Sequence, residues 1–83
     1  MNKIITALSV PVLNEKYDIF LQDNITIEQL IPVIIQGIFD ISSGKYSSSG
    51  NEMLMSLNPE RLLNPKKTLS DYGIMDGESL MII

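Results

Sequence analysis

Lys67-Thr68-Leu69-Ser70-Asp71-Tyr72-Gly73-Ile74-Met75-Asp76-Gly77-Glu78-Ser79-Leu80-Met81-Ile82-Ile83 closes the chain. Thr68 to Tyr72 predicts one tight helical turn, closed by Gly73. Asp76-Gly77 reads as a turn, and Ser79 to Ile83 as a strand that places Leu80 and Ile82 on one face, Met81 and Ile83 on the other. A terminal strand of this kind needs neighbours from earlier in the sequence.

Lys3 to Val10 is rich in strand formers, with Ile4, Leu8 and Val10 on one alternating set and Ile5 and Ala7 on the other. Periodicity leaves the inward face open, and the first set is the better candidate. Pro11 to Lys16 reads as a hairpin loop, after which Tyr17, Ile19 and Leu21 alternate on one face of a second strand. Thr26-x-x-Gln29 is a capping-box pattern at a helix start. Ile27, Leu30, Ile31, Ile34, Ile38 and Ile41 recur at helical spacing, a stripe that must face a core. Pro32 removes the bond to the Glu28 carbonyl and is expected to kink the first turns, and Gly37 weakens the middle. Residues 42–51 read as a flexible Ser/Gly-rich loop, followed by a strand at Met53 to Leu57, a turn at Asn58-Pro59-Glu60, and a short strand at Leu62-Leu63. One amphipathic helix has only the sheet to bury itself against. The fold class expected is therefore α+β, a mixed four- to five-stranded sheet packed on one helix. The first and last strands sit side by side at its centre, which is the β-grasp arrangement.

The chain has 83 residues, enough for a single domain spanning 1–83. Six basic against ten acidic residues give a net charge of −4, and the basic ones form no stripe. A partner with a phosphate backbone needs a concentrated positive face, so nucleic acid is not expected. There is no cysteine and no histidine, which removes thiol chemistry, cysteine zinc sites and the usual general base near neutral pH. The opening residues from Met1 to Ala7 are too short for a spanning helix and lack a signal-peptide layout. The expectation is a cytoplasmic chain with no membrane insertion.

Candidate sites are few. Asp71, Asp76 and Glu78 match no cation loop, so turn and cap chemistry accounts for them better than a metal. Ser47-Ser48-Ser49 offers hydroxyls, with Lys45 or Lys3 as the only conceivable bases and no third group to orient them, so no catalytic residue is assigned. No cofactor is expected. Met53, Met55, Met75 and Met81 suit an adaptable binding surface, although alternation sends about half of them inward. Met81 is the one to retain, since Leu80 and Ile82 claim the interior. With Ile83 it contributes to an exposed apolar patch of the kind that marks a partner site.

The closing Thr68-Leu69-Ser70-Asp71-Tyr72-x-Ile74 resembles the end of ubiquitin, and Thr26-Ile27-Glu28 resembles the start of ubiquitin's helix. Leu21, Ile27, Leu30 and Ile34 repeat the spacing of ubiquitin's core residues there. A closer likeness is to the small bacterial YukD/EsaB family that accompanies type VII (WXG100) secretion systems. It rests on Tyr17-Asp18-Ile19, Leu30-Ile31-Pro32, Leu63-Asn64-Pro65-x-Lys67-Thr68-Leu69 and Tyr72-Gly73-Ile74-x-Asp76-Gly77-Glu78-x-Leu80. Residues 42–51 form a longer loop than that family usually has. The resemblance implies a non-conjugated accessory or regulatory component, with secretion-system proteins as partners. A homodimer formed through the same surface is a further option. By the same comparison, Met81 and Ile83 take the outward positions of ubiquitin's recognition face on the last strand, and Ser56 takes the one on the third. Readers of ubiquitin are not expected to read this surface.

The sequence thus predicts a non-catalytic interaction module. Two other readings remain. A modifier or sulfur carrier would need a mobile tail with small glycines before its carboxylate, whereas Ile83 falls within a strand, which also leaves Lys16, Lys45, Lys66 and Lys67 as solvating residues. The chain could also be a ubiquitin-like domain of a larger membrane secretion subunit.

Overall fold

A computed structural model describes residues 3–83. Strand β1 (Lys3–Val10) turns through a short 3₁₀ segment, Pro11–Leu13, into β2 (Glu15–Gln22). Asn14, in the left-handed region at φ 54°, makes the corner. Helix α1 (Ile27–Ile41) follows, then β3 (Leu54–Leu57), β4 (Glu60–Leu62), a 3₁₀ turn at Ser70–Tyr72 and β5 (Ser79–Ile82). The sheet order is β2-β1-β5-β3-β4. β1 and β5 lie parallel at its centre, and the other pairings are antiparallel. This is the expected mixed sheet on one helix, the β-grasp fold.

β1 buries Ile4, Thr6, Leu8 and Val10, which settles its inward face. Leu21 of β2, Leu54 of β3, and Leu80 and Ile82 of β5 meet Ile27, Leu30, Ile34 and Ile38 of α1 in one cluster, closed below by Leu63, Leu69 and Ile74. Ile31 is half-buried beside it, whereas Ile41, expected within the stripe, is half-exposed in the helix's last turn. The helix runs through Pro32 unbroken.

The residues around Pro65 terminate that helix from outside. Its first N–H groups have no intrahelical acceptor. The Ile27 and Glu28 N–H groups donate to the carbonyls of Lys67 (2.8 Å) and Pro65 (3.0 Å). The Gln29 carboxamide oxygen accepts from the Thr26 N–H at 3.0 Å and from its hydroxyl at 3.1 Å, so the capping box forms. A second reciprocal cap holds the closing turn. Thr68 N–H donates to Asp71 Oδ2 (2.9 Å), and Asp71 N–H donates to Thr68 Oγ1 (3.0 Å). Gly73, at φ 69°, then stops the turn in a conformation that side chains disfavour.

The 42–51 segment carries an anchor that its composition hides. No residue there lies in a strand, yet Tyr46 is buried in the core cluster. Its hydroxyl donates to Glu52 Oε2 at 2.8 Å, and the Ser49 N–H donates to the same oxygen at 2.9 Å. Among the described residues no helix is long and apolar enough to cross a membrane.

Candidate interaction face

The side of the sheet away from α1 is the candidate site, and strand register decides what it displays. Residues directly opposite across an antiparallel pair share a face. β3 and β5 pair Leu54 with Ile82 and Ser56 with Leu80, all on the helix side, while Met55 lies opposite Met81 on the outer side. One step along, Met53 and Ile83 exchange backbone hydrogen bonds of 2.8 and 2.9 Å, so they extend the same outer row. On the far flank Leu62 of β4 lies opposite Met55. Met53, Met55, Met81, Ile83 and Leu62 therefore form a continuous apolar patch, half-buried at Met55 and Met81 and about half-exposed at the other three.

Met81 and Ile83 stand where the sequence reading placed them. Ser56 does not. It is 3% exposed and faces the helix, its hydroxyl donating to the Pro59 carbonyl at 2.8 Å. A buried hydroxyl is tolerated when satisfied in this way, which is why an apparently outward residue can sit in the core side of a strand. The outward residue of β3 is Met55. The expectation that half the methionines turn inward also fails, since all four are half-buried or exposed. Met53 and Met55 have the same parity, so alternation cannot divide them, and the register then sets Met81 beside Met55. Met75 is exposed in the turn before β5.

The other candidates are engaged structurally. Asp71 caps the 3₁₀ turn, Asp76 Oδ1 accepts from the Ile5 N–H at 2.9 Å, and Glu78 Oε2 accepts from the Met75 N–H at 3.0 Å. Asp76 thereby extends the β1–β5 ladder by one bond where the strand has already turned away. Among the described residues no cluster of three acidic, histidine or cysteine side chains could hold a metal. The Ser48 and Ser49 hydroxyls accept from the N–H groups of Gly50 and Asn51, both at 3.1 Å, as local turns. Lys16, Lys45, Lys66 and Lys67 are exposed, and Lys66 pairs with Glu28 at 3.3 Å on open surface, a contact worth less than about 1 kcal/mol.

The fold is that of a ubiquitin-like domain. Neither a known family profile nor a curated protein matches the sequence. Solved structures do. The ubiquitin-like domain of the Mycobacterium tuberculosis type VII secretion system protein ECCD1 superposes with a TM-score of 0.77 at 15% identity, covering 100% of this chain and 99% of that one. The corresponding domain of Plasmodium falciparum Dsk2 gives 0.68 at 14%, covering 98% and 99%. A designed protein based on ubiquitin gives 0.68 at 16%, covering 99% and 88%. At such identities the shared property is the fold.

Proposed function

We propose that the chain is a non-catalytic, non-conjugated protein-interaction module that serves as an accessory or regulatory component of a bacterial type VII secretion system, resembling YukD/EsaB and acting in the cytoplasm. The observation that carries this reading is the methionine-rich outer face on β3 and β5. Unbranched thioether side chains adapt to varied apolar partners, and a contiguous exposed apolar patch marks a contact surface. The superposition with the ECCD1 domain, complete over both chains, supports the secretion context. The lack of histidine and cysteine, together with carboxylates engaged on backbone N–H groups, favours binding over catalysis.

A test follows from the face. In cells lacking the chain, the wild-type protein should restore export of the small helical secretion substrates, and Met81→Asp should not, while its circular dichroism stays unchanged. Full export with Met81→Asp would overturn the assignment of the face, and export independent of the chain would overturn the secretion role. The ECCD1 neighbour is itself one domain of a secretion protein, which favours as a second reading that this chain is the corresponding domain of a larger membrane subunit. A modifier or sulfur carrier is the weaker alternative, since no feature among the described residues points to carboxylate-transfer chemistry. An acyl-adenylate formed on the chain with ATP and an activating enzyme would revive it.

A further inference from the structure

The two sheet edges differ. β4 is three residues long, follows Pro59 and carries Glu60 and Arg61. β2 is eight residues long and has β1 on one side only. Among the described residues no turn or loop backbone bonds to its open side. An open row of backbone donors and acceptors is a template for another strand. What selects the strand is charge.

Lys16 and Asp18 point to the outer side of β2, both exposed, and their neighbours on β1 are the uncharged Ser9 and Ala7. Among the described residues neither enters an ion pair. Two copies of β2 paired antiparallel, with both helices on one side of the joined sheet, place same-face residues opposite one another. If the pairing centres on Asp18, that carboxylate meets its own copy. If it centres on Ile19, Glu15 meets Asp23, again like charges, and if on Phe20 the charges find no opposite partner. Centred on Tyr17, Lys16 meets Asp18 of the second copy and Asp18 meets its Lys16, giving two opposite-charge pairs and no like-charge pair. The helix side of the same register sets Tyr17 against Tyr17 and Ile19 against the stem of Glu15. On the outer side, with Lys16 and Asp18, the register sets Phe20 opposite Asn14 of the other copy, beside the Pro11–Leu13 turn that carries Val12. Phe20 and Val12 are 65% and 77% exposed in the single chain.

We propose that the protein forms a two-fold dimer in which β2 pairs antiparallel with β2 of a second copy about Tyr17. Of the four registers the charges favour this one, so they act as a specificity device. The two-fold axis stands perpendicular to the joined sheet. Both methionine faces therefore point the same way, and the dimer presents them as a bivalent surface whose avidity exceeds either face alone.

Sedimentation equilibrium over a range of concentrations tests this with three variants, all changed at exposed positions and checked by circular dichroism. The wild-type chain should be dimeric. Lys16→Asp and Asp18→Lys should each weaken the dimer by roughly tenfold or more, because each creates two like-charge pairs. The double variant Lys16→Asp/Asp18→Lys should recover the wild-type dissociation constant. A wild-type monomer at millimolar loading, a dimer indifferent to the single reversals, or a double variant that stays weak would each overturn the proposal. None of these outcomes bears on the Met81 face, which lies on another strand and is tested separately.

Discussion

Met55 and Ser56 are adjacent and have opposite duties. Met55 lies opposite Met81 on the outer face, and Ser56 lies opposite Leu80 within the core. Changing Met55 to Asp should abolish the proposed partner binding as completely as is expected of Met81→Asp, with little effect on stability, since half-buried surface positions rarely cost much. Ser56→Ala should do the reverse. It leaves the Pro59 carbonyl short of a donor and should lower the unfolding free energy by about 1 kcal/mol without changing partner binding. Urea titrations and capture assays on the two variants separate the roles; Ser56→Ala impairing capture would show that the register has been misjudged. Residue-scale assignment on this strand was beyond the sequence for a physical reason. Met53-Leu54-Met55-Ser56-Leu57 is apolar on both alternating sets apart from Ser56, so the lone polar residue looks outward when its turn partner at Pro59 is unseen.

At the scale of elements, most of the fold is legible because local signals and burial agree. The Thr26-x-x-Gln29 box, the Ile27-Leu30-Ile34-Ile38 stripe, and the Gly73 and Gly77 stops all appear where the residue types demand them. The motifs behind the family resemblance turn out to be architectural. Pro65 and Lys67 lend carbonyls to the helix N-terminus, the Asn64 N–H donates to the Tyr72 hydroxyl at 2.8 Å, and Leu63 and Leu69 are buried. Residues 42–51 were opaque because one aromatic among serines and glycines gives no periodicity. Tyr46 is nevertheless what ties the segment to the core. Tyr46→Ala should cost about 3 kcal/mol, the usual range for a buried aromatic, and lower Tm by more than about 10 °C in a domain of this size. Tyr46→Phe should cost only about 1 kcal/mol, the hydrogen bond to Glu52. A Tyr46→Ala variant with a near wild-type thermal transition would mean that the loop is not anchored there.

For the whole molecule, the same contact sets how stability varies with pH. Burial raises the Glu52 pKa, but hydrogen bonds from the Ser48 and Tyr46 hydroxyls and from backbone amides outweigh it, so the net shift is downward from 4.5. The Thr68 backbone N–H, its hydroxyl and the nearby Lys67 lower Asp71 from 3.8. Groups with folded values below their unfolded ones stabilise fully above the unfolded pKa and lose that contribution as pH falls. Tyr46 shifts the other way. Burial first, then its hydrogen bond to Glu52 and that carboxylate's charge, push it from 10.0 to about 12. Its contribution is complete below pH 10 and disappears as pH rises toward 12. Stability should therefore hold a plateau between an acid limb that begins near the unfolded carboxylate values and an alkaline limb that begins near pH 10. Both limbs share one hydrogen bond, so one substitution should change both. In Tyr46→Phe the alkaline limb loses the tyrosine contribution, and Glu52, deprived of a donor, returns toward its ordinary value, making the acid limb shallower. Urea midpoints measured across the pH range for wild type and Tyr46→Phe decide the matter. An alkaline limb equally steep in both proteins would show that Tyr46 ionises in the folded chain as freely as in the unfolded one, and the latch between loop and core would have to be abandoned.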